Sequence, residues 1–133
     1  MIKLNRKVEY ALMALRFLSK REAGELSQVK EICDVTGSPF DATSRVMQQM
    51  ANAGILKSEQ GVHGGYYINK SLEQFSFYEL SEVILGKLEL AKCIKSPDSC
   101  NLIESCNIYS PIVALNKKTA QFFKSISLTE CLG

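Results

Sequence analysis

Three of the five cysteines in this 133-residue chain fall in one short stretch, "CIKSPDSCNLIESC", residues 93–106. Cys93, Cys100 and Cys106 are spaced C-x6-C-x5-C. Thiols this close in a polar loop can act as disulfide partners, as metal ligands or as redox groups. An odd total of five fits a simple disulfide framework poorly. Structural zinc sites show paired C-x2-4-C knuckles with a fourth Cys or His. Neither knuckle is present, and the single histidine, His63, lies elsewhere in the chain. Iron–sulfur clusters take thiolates at wider and more varied spacing. The turn-rich "KSPDS" between the first two thiols lets the loop wrap an object of that size. Cys33 reads as a small buried hydrophobe on a helix, and Cys131 as an incidental residue of the C-terminal tail.

Composition sets the surroundings of these thiols. Hydrophobic residues make up 46% and charged residues 23% of the chain, which is ordinary for a folded globular protein. Net charge is only +2, so a nucleic-acid interface would need its basic residues focused on one face. The run "YALMAL" near the N-terminus is too short for an exported leader, and no segment approaches a membrane span. The expected location is therefore cytoplasmic, with no membrane partner. There, clustered cysteines more often bind metal or sense redox state than form structural disulfides.

The elements that must position the thiols are mostly helical. "NRKVEYALMALRFLSK", residues 5–20, places Val8, Leu12, Leu15 and Leu18 on one face. In "LSQVKEICDVTG", Ser27 can cap a short helix whose Val29, Ile32 and Cys33 point inward, and Gly37 closes it. "SPFD" then puts Ser38 at an N-cap, Pro39 at the first helical position and Asp41 at the third, and that helix stops at Gly54. Two short helices around a tight turn form a helix-turn-helix candidate. The runs "ILKSE" and "YYINK" follow, flanking the glycine-rich tip "QGVHGG", and read as a hairpin. A hairpin directly after such a pair makes a winged helix-turn-helix, with glycines suited to close approach to a phosphate.

In the second half, Ser76 and Glu79 stand in capping-box register ahead of Leu80, Val83 and Ile84, and Gly86 ends that helix. Beyond the cysteine loop, a long helix starts near Ser110 with Pro111 at its first position. Ile112, Leu115, Thr119, Phe122 and Ile126 form a seam along it, widened by Val113 and Phe123. The seam fits a dimer interface, or packing within one chain. The expected architecture is mainly α with a small β-hairpin. Residues 1–75 form a winged helix-turn-helix domain, and residues 76–133 carry the cysteine loop and a long C-terminal dimerisation helix.

Taken in order, "KVEYALMAL", the wing "GVHGGYYI", "FSFYELSEVILG", the cysteine triad and "SISLTECL" resemble the Rrf-type bacterial regulators, the group of the IscR-like and NsrR-like proteins. The resemblance covers nearly the whole chain. It implies a homodimeric transcription factor, not an enzyme, whose iron–sulfur cluster on Cys93, Cys100 and Cys106 senses nitric oxide, redox stress or iron–sulfur status. IscR-like members carry a histidine three residues after the third cysteine, where this chain has Tyr109. NsrR-like members use a carboxylate of the first helix, supplied by the partner subunit, and the matching position is Glu9. By that likeness a [4Fe–4S] cluster is favoured over a [2Fe–2S] cluster. Just before the first wing glycine the family often has Arg, and Gln60 stands here instead.

The DNA-facing residues expected on this reading are Asp41, Ser44 and Arg45 on the recognition helix. Gln60, Gly61, His63 and Gly64 follow in the wing, with Lys57 beside the DNA backbone. The DNA partner is a pseudo-palindromic duplex bound by a dimer. An alternative keeps the fold but regulates through thiol chemistry or a partner protein. An iron–sulfur carrier or redox enzyme fits less well, for the sequence shows no nucleophile–base pair, nucleotide loop or substrate-pocket motif.

Overall fold

The computed structural model describes residues 3–133. Among the described residues, seven α-helices and one two-stranded sheet follow in the order α1 (Arg6–Ser19), α2 (Val29–Thr36), α3 (Phe40–Asn52), β1 (Leu56–Glu59), β2 (Gly65–Ile68), α4 (Phe77–Leu85), α5 (Lys92–Lys95), α6 (Tyr109–Lys124) and α7 (Leu128–Leu132). The mainly helical architecture with a single hairpin is as the sequence leads one to expect. No helix among the described residues is long and apolar enough to cross a membrane.

Asn5 caps α1, its side chain accepting from the Lys7 N–H. The buried face is Val8, Ala11, Ala14, Leu15 and Leu18, whereas Leu12 is only half-buried. Small alanines, not Leu12, take the central positions because α3 packs directly across α1. Val46, Met47 and Met50 of α3 complete that layer, with Ile32 of α2 and with Phe77, Leu80 and Ile84 of α4.

Two serines expected to cap helices do not, and the Ser27 hydroxyl is buried without a hydrogen-bond partner among the described residues. Ser27 does not cap α2. Gln28 occupies the N-cap with no side-chain bond, and Ser27 is fully buried in a bridge to Tyr66. Nor does Ser38 cap α3, which starts one residue later with Pro39 at the cap and Asp41 as its second residue. The Ser38 hydroxyl lies instead between Thr36 Oγ1 and Thr43 Oγ1, each 2.9 Å away, and 3.8 Å from Cys33 Sγ. It thus joins the end of α2 to the first turns of α3, satisfying polar groups that the tight turn buries. Cys33, expected inside, is half-buried beside this cluster.

The hairpin is antiparallel, with Leu56 opposite Ile68 and Glu59 opposite Gly65, so Asn69 and Lys70 fall outside it. Ser76 caps α4 as its register indicates, accepting from the Glu79 N–H at 3.1 Å, and Gly86 ends the helix at φ 88°. Pro111 is the third residue of α6, not the first. Ile126 lies beyond α6, and its carbonyl accepts from the Phe77 N–H at 2.8 Å. Leu128 N–H donates to the Phe75 carbonyl at 2.8 Å, which fixes the chain end against the start of α4. Ser127 caps the final helix by accepting from the Glu130 N–H.

Candidate nucleic-acid interface and cysteine segment

On α3, burial alternates with exposure at helical spacing. Thr43, Val46, Met47 and Met50 are buried, while Asp41, Arg45, Gln48 and Asn52 form an exposed stripe with Ser44 half-buried beside it. Among the described residues the ion pairs are Arg6–Glu9, Arg21–Glu25 and Arg21–Glu31, so the Arg45 guanidinium is not spent on a carboxylate. Lys57 is exposed on β1, and Gln60, Gly61 and His63 are exposed at the wing tip.

The wing's glycines are required by contacts. A Cβ on Gly64 would run into the Glu59 carbonyl, and one on Gly65 would sit 2.6 Å from the Ser27 carbonyl oxygen. Glycine lets the hairpin close and lets β2 press against Ser27. Between the wing, α3 and the start of α2 runs a groove of about 360 Å³. Gln60, Gly61 and Gly64 line it, whereas Asp41, Ser44 and Arg45 stand outside its lining. Its other walls include residues that sequence reasoning did not single out, namely Gln28, Lys30, Phe40, Gln48 and Tyr66. Gln48 was legible, one turn beyond Arg45 on the exposed stripe. Gln28 and Lys30 reach the groove only because the wing folds back over α2.

The cysteine segment is built differently. Cys93 is buried on α5, while Cys100 and Cys106 are half-buried. The Pro97–Ser99 stretch forms a single 3₁₀ turn, so the loop is not wholly irregular. Its backbone bonds are local turns: Ile94 to Ala91, Ser99 to Ser96, Cys100 to Pro97, Ile103 to Cys100 and Ser105 to Leu102. It is moored to α6 from one side, where Leu90 N–H donates to Asn116 Oδ1 at 3.0 Å and Asn116 Nδ2 donates to the Leu88 carbonyl at 3.2 Å. Cys106 and Tyr109 line a common hollow of about 400 Å³ with Pro97 and Ile103.

Glu9 stands apart on α1, half-buried, with Arg6 Nη1 3.1 Å from its carboxylate. Among the described residues no three Cys, His, Asp or Glu side chains gather closely enough to hold a metal ion. What fits an iron–sulfur group is the donor set, three free thiols on one segment, since each iron takes its own thiolate. Soft thiolates are the donors such iron prefers. Elsewhere, Cys131 lies exposed on α7, where partial burial and the neighbouring Glu130 push its thiol pKa up. Burial first, then the Glu82 carboxylate, raises that of Tyr78.

α6 has no buried residue. Phe123 packs edge-on against Phe77 at 4.9 Å between ring centroids, and so fixes one side of the helix to α4. The other side is bare. Ile108, Leu115 and Phe122, spaced at heptad intervals, are 54%, 52% and 62% exposed.

An exposed polar stripe on the second helix of a helix-turn-helix, with a glycine-tipped hairpin folded beside it, defines a winged-helix protein of the DNA-reading class. The chain belongs to the Rrf2 family of iron-dependent transcriptional regulators, whose model matches residues 4–132. Transcription regulation and DNA binding follow from that membership. The HTH-type transcriptional regulator NsrR of Shouchella clausii is 23% identical over 108 residues, covering 80% of this chain and 72% of that protein. Among solved structures, CymR, the global cysteine regulator of B. subtilis, superposes with a TM-score of 0.70 at 19% identity, over 99% of this chain and 97% of that one. IscR of T. potens gives 0.70 at 19% identity, over 98% and 86%. These two likenesses establish the shared fold.

Proposed function

We propose that the chain acts as a homodimeric, DNA-binding regulator that senses through an iron–sulfur cluster. Cys93, Cys100 and Cys106 hold the cluster, with the partner subunit's Glu9 as the fourth ligand, and [4Fe–4S] is the favoured form. Residues 1–75 read the operator, and residues 76–133 hold the cluster and dimerise. The hydrogen bonding of residues 91–108 carries this reading. The segment has local turns, three free thiols and one buried residue, Cys93, so it has almost no core of its own. A segment of that kind is ordered by what it binds. The family's iron dependence and the NsrR relative support iron as the metal.

When bound, the cluster supplies an iron centre reactive towards redox agents and nitric oxide. The protein's part is to convert order in 91–108 into spacing. The segment leads straight into α6, and the bare stripe of Leu115 and Phe122 on that helix, begun by Ile108 just ahead of it, is the surface for a second copy. A shift at the start of α6 moves one protomer against its partner, and with it the distance between two recognition helices that must match half-sites about 34 Å apart. Arg45, Ser44 and Asp41 face the bases, while Lys57, His63 and the wing glycines face the DNA backbone.

The test is anaerobic purification with an absorbance spectrum and assays for iron and sulfide. The wild-type protein is expected to be coloured, as are Cys33→Ala and Cys131→Ala. Cys93→Ala, Cys100→Ala and Cys106→Ala are expected to be bleached. Colourless wild-type protein that binds operator only when its thiols are reduced would favour regulation by thiol chemistry instead.

A further inference from the structure

Tyr66 stands where three parts of the DNA face meet. It belongs to β2, its backbone pairs with Ser27 ahead of α2, and its hydroxyl donates to Gln48 Oε1 on α3 at 3.3 Å. Its ring is half-buried against the core, so the hydroxyl is carried on a fixed arm. Gln48 is held from its other end, its Nε2 donating to Asn52 Oδ1 at 3.1 Å. On the far side of the groove Gln28 Nε2 donates to the Val62 carbonyl at 3.4 Å. A two-stranded hairpin is marginal by itself, and its tip swings with small changes at its base.

We propose that Tyr66 and Gln48 are a positioning pair that fixes the aim of the wing relative to α3 and so sets discrimination between operator and random DNA. The inference rests on the DNA-reading part of the proposed function. Its physical basis is that a specific complex needs base contacts from α3 and backbone contacts from the wing at once. Random DNA is bound by charge alone, which tolerates a loose wing. The Tyr66 hydroxyl and the Gln48 side chain are exposed, so breaking their bond acts on aim far more than on stability.

The experiment first enriches a duplex from a random-sequence pool with wild-type protein. Affinity for that duplex and for a random one is then measured for wild type, Tyr66→Phe, Gln48→Ala and the double variant. Each single change is expected to weaken the enriched duplex by about 3- to 10-fold, the worth of one hydrogen bond. The loss on the random duplex is smaller than on the enriched one, and the melting temperature stays at its wild-type value. The double variant is no weaker than the weaker single, since both changes break the same contact. Additive losses, equal losses on both duplexes, or a Tyr66→Phe protein that discriminates like wild type would each overturn the inference. A wild-type protein that enriches no duplex would overturn the DNA reading as well, so the two failures are distinct.

Discussion

Ser27 and Tyr66 exchange both of their backbone hydrogen bonds, Ser27 N–H donating to the Tyr66 carbonyl at 2.9 Å and Tyr66 N–H donating to that of Ser27 at 2.8 Å. This bridge ties the wing to the residue that precedes the helix-turn-helix. It places Gly65 against Ser27, and it gives Gln28, Lys30 and Tyr66 a common groove.

Gly65→Ala tests the closeness of that bridge. At φ 153° and with the Ser27 carbonyl 2.6 Å from the added Cβ, the backbone must move. We expect a loss of about 1–3 kcal/mol in urea unfolding, the range for a strained backbone. Operator affinity should fall alongside. A wild-type unfolding midpoint would show that the bridge is looser than described.

Arg45→Ala tests base reading. Its guanidinium is free of carboxylate partners among the described residues and sits on the exposed stripe of α3. The loss on an enriched duplex should be about 1–3 kcal/mol, with relaxed specificity at one base position. An equal loss on random DNA would make Arg45 a phosphate contact. In either case binding should weaken steeply with salt, as phosphate contacts release counterions.

Phe122→Lys and Leu115→Lys test the α6 stripe. Within one chain both side chains are mostly exposed, so charge there should cost no more than about 0.5 kcal/mol of fold stability. Between copies the same charges meet apolar surface. Sedimentation should show folded monomers with weakened operator binding. Variants that remain dimeric would move the interface elsewhere.

Glu9→Ala separates ligand loss from unfolding. Glu9 makes one surface ion pair, with the exposed Arg6, and such helical pairs are worth about 0.3–0.5 kcal/mol. Stability of the chain should therefore hardly change. In anaerobic protein the absorbance spectrum should alter, the cluster should be lost faster and its reactivity towards nitric oxide should change. If all three match wild type, Glu9 is a solvated helix acid.

Much of this protein was legible locally. The apolar spacing of α1, the Ser76–Glu79 cap and the Gly86 stop specify helices from contacts a few residues apart. The glycines around His63 specify a hairpin in the same way, and the crowding of three thiols into residues 93–106 needs no fold to be seen. What tertiary structure alone decided lies where a local signal met a distant partner. Ser27 has the residue type and place of a cap, but the chain pairs its buried backbone N–H and carbonyl with Tyr66 and leaves its hydroxyl without a partner among the described residues. Leu12 has the right period for the core, yet α3 crosses α1 so closely that Ala11 and Ala14 take the centre. Ile126 continues the seam of α6 on paper, but its carbonyl is claimed by Phe77, and the helix stops short of it. The groove between α2, α3 and the wing belongs to no single stretch of chain, because its walls come from segments that only packing brings together.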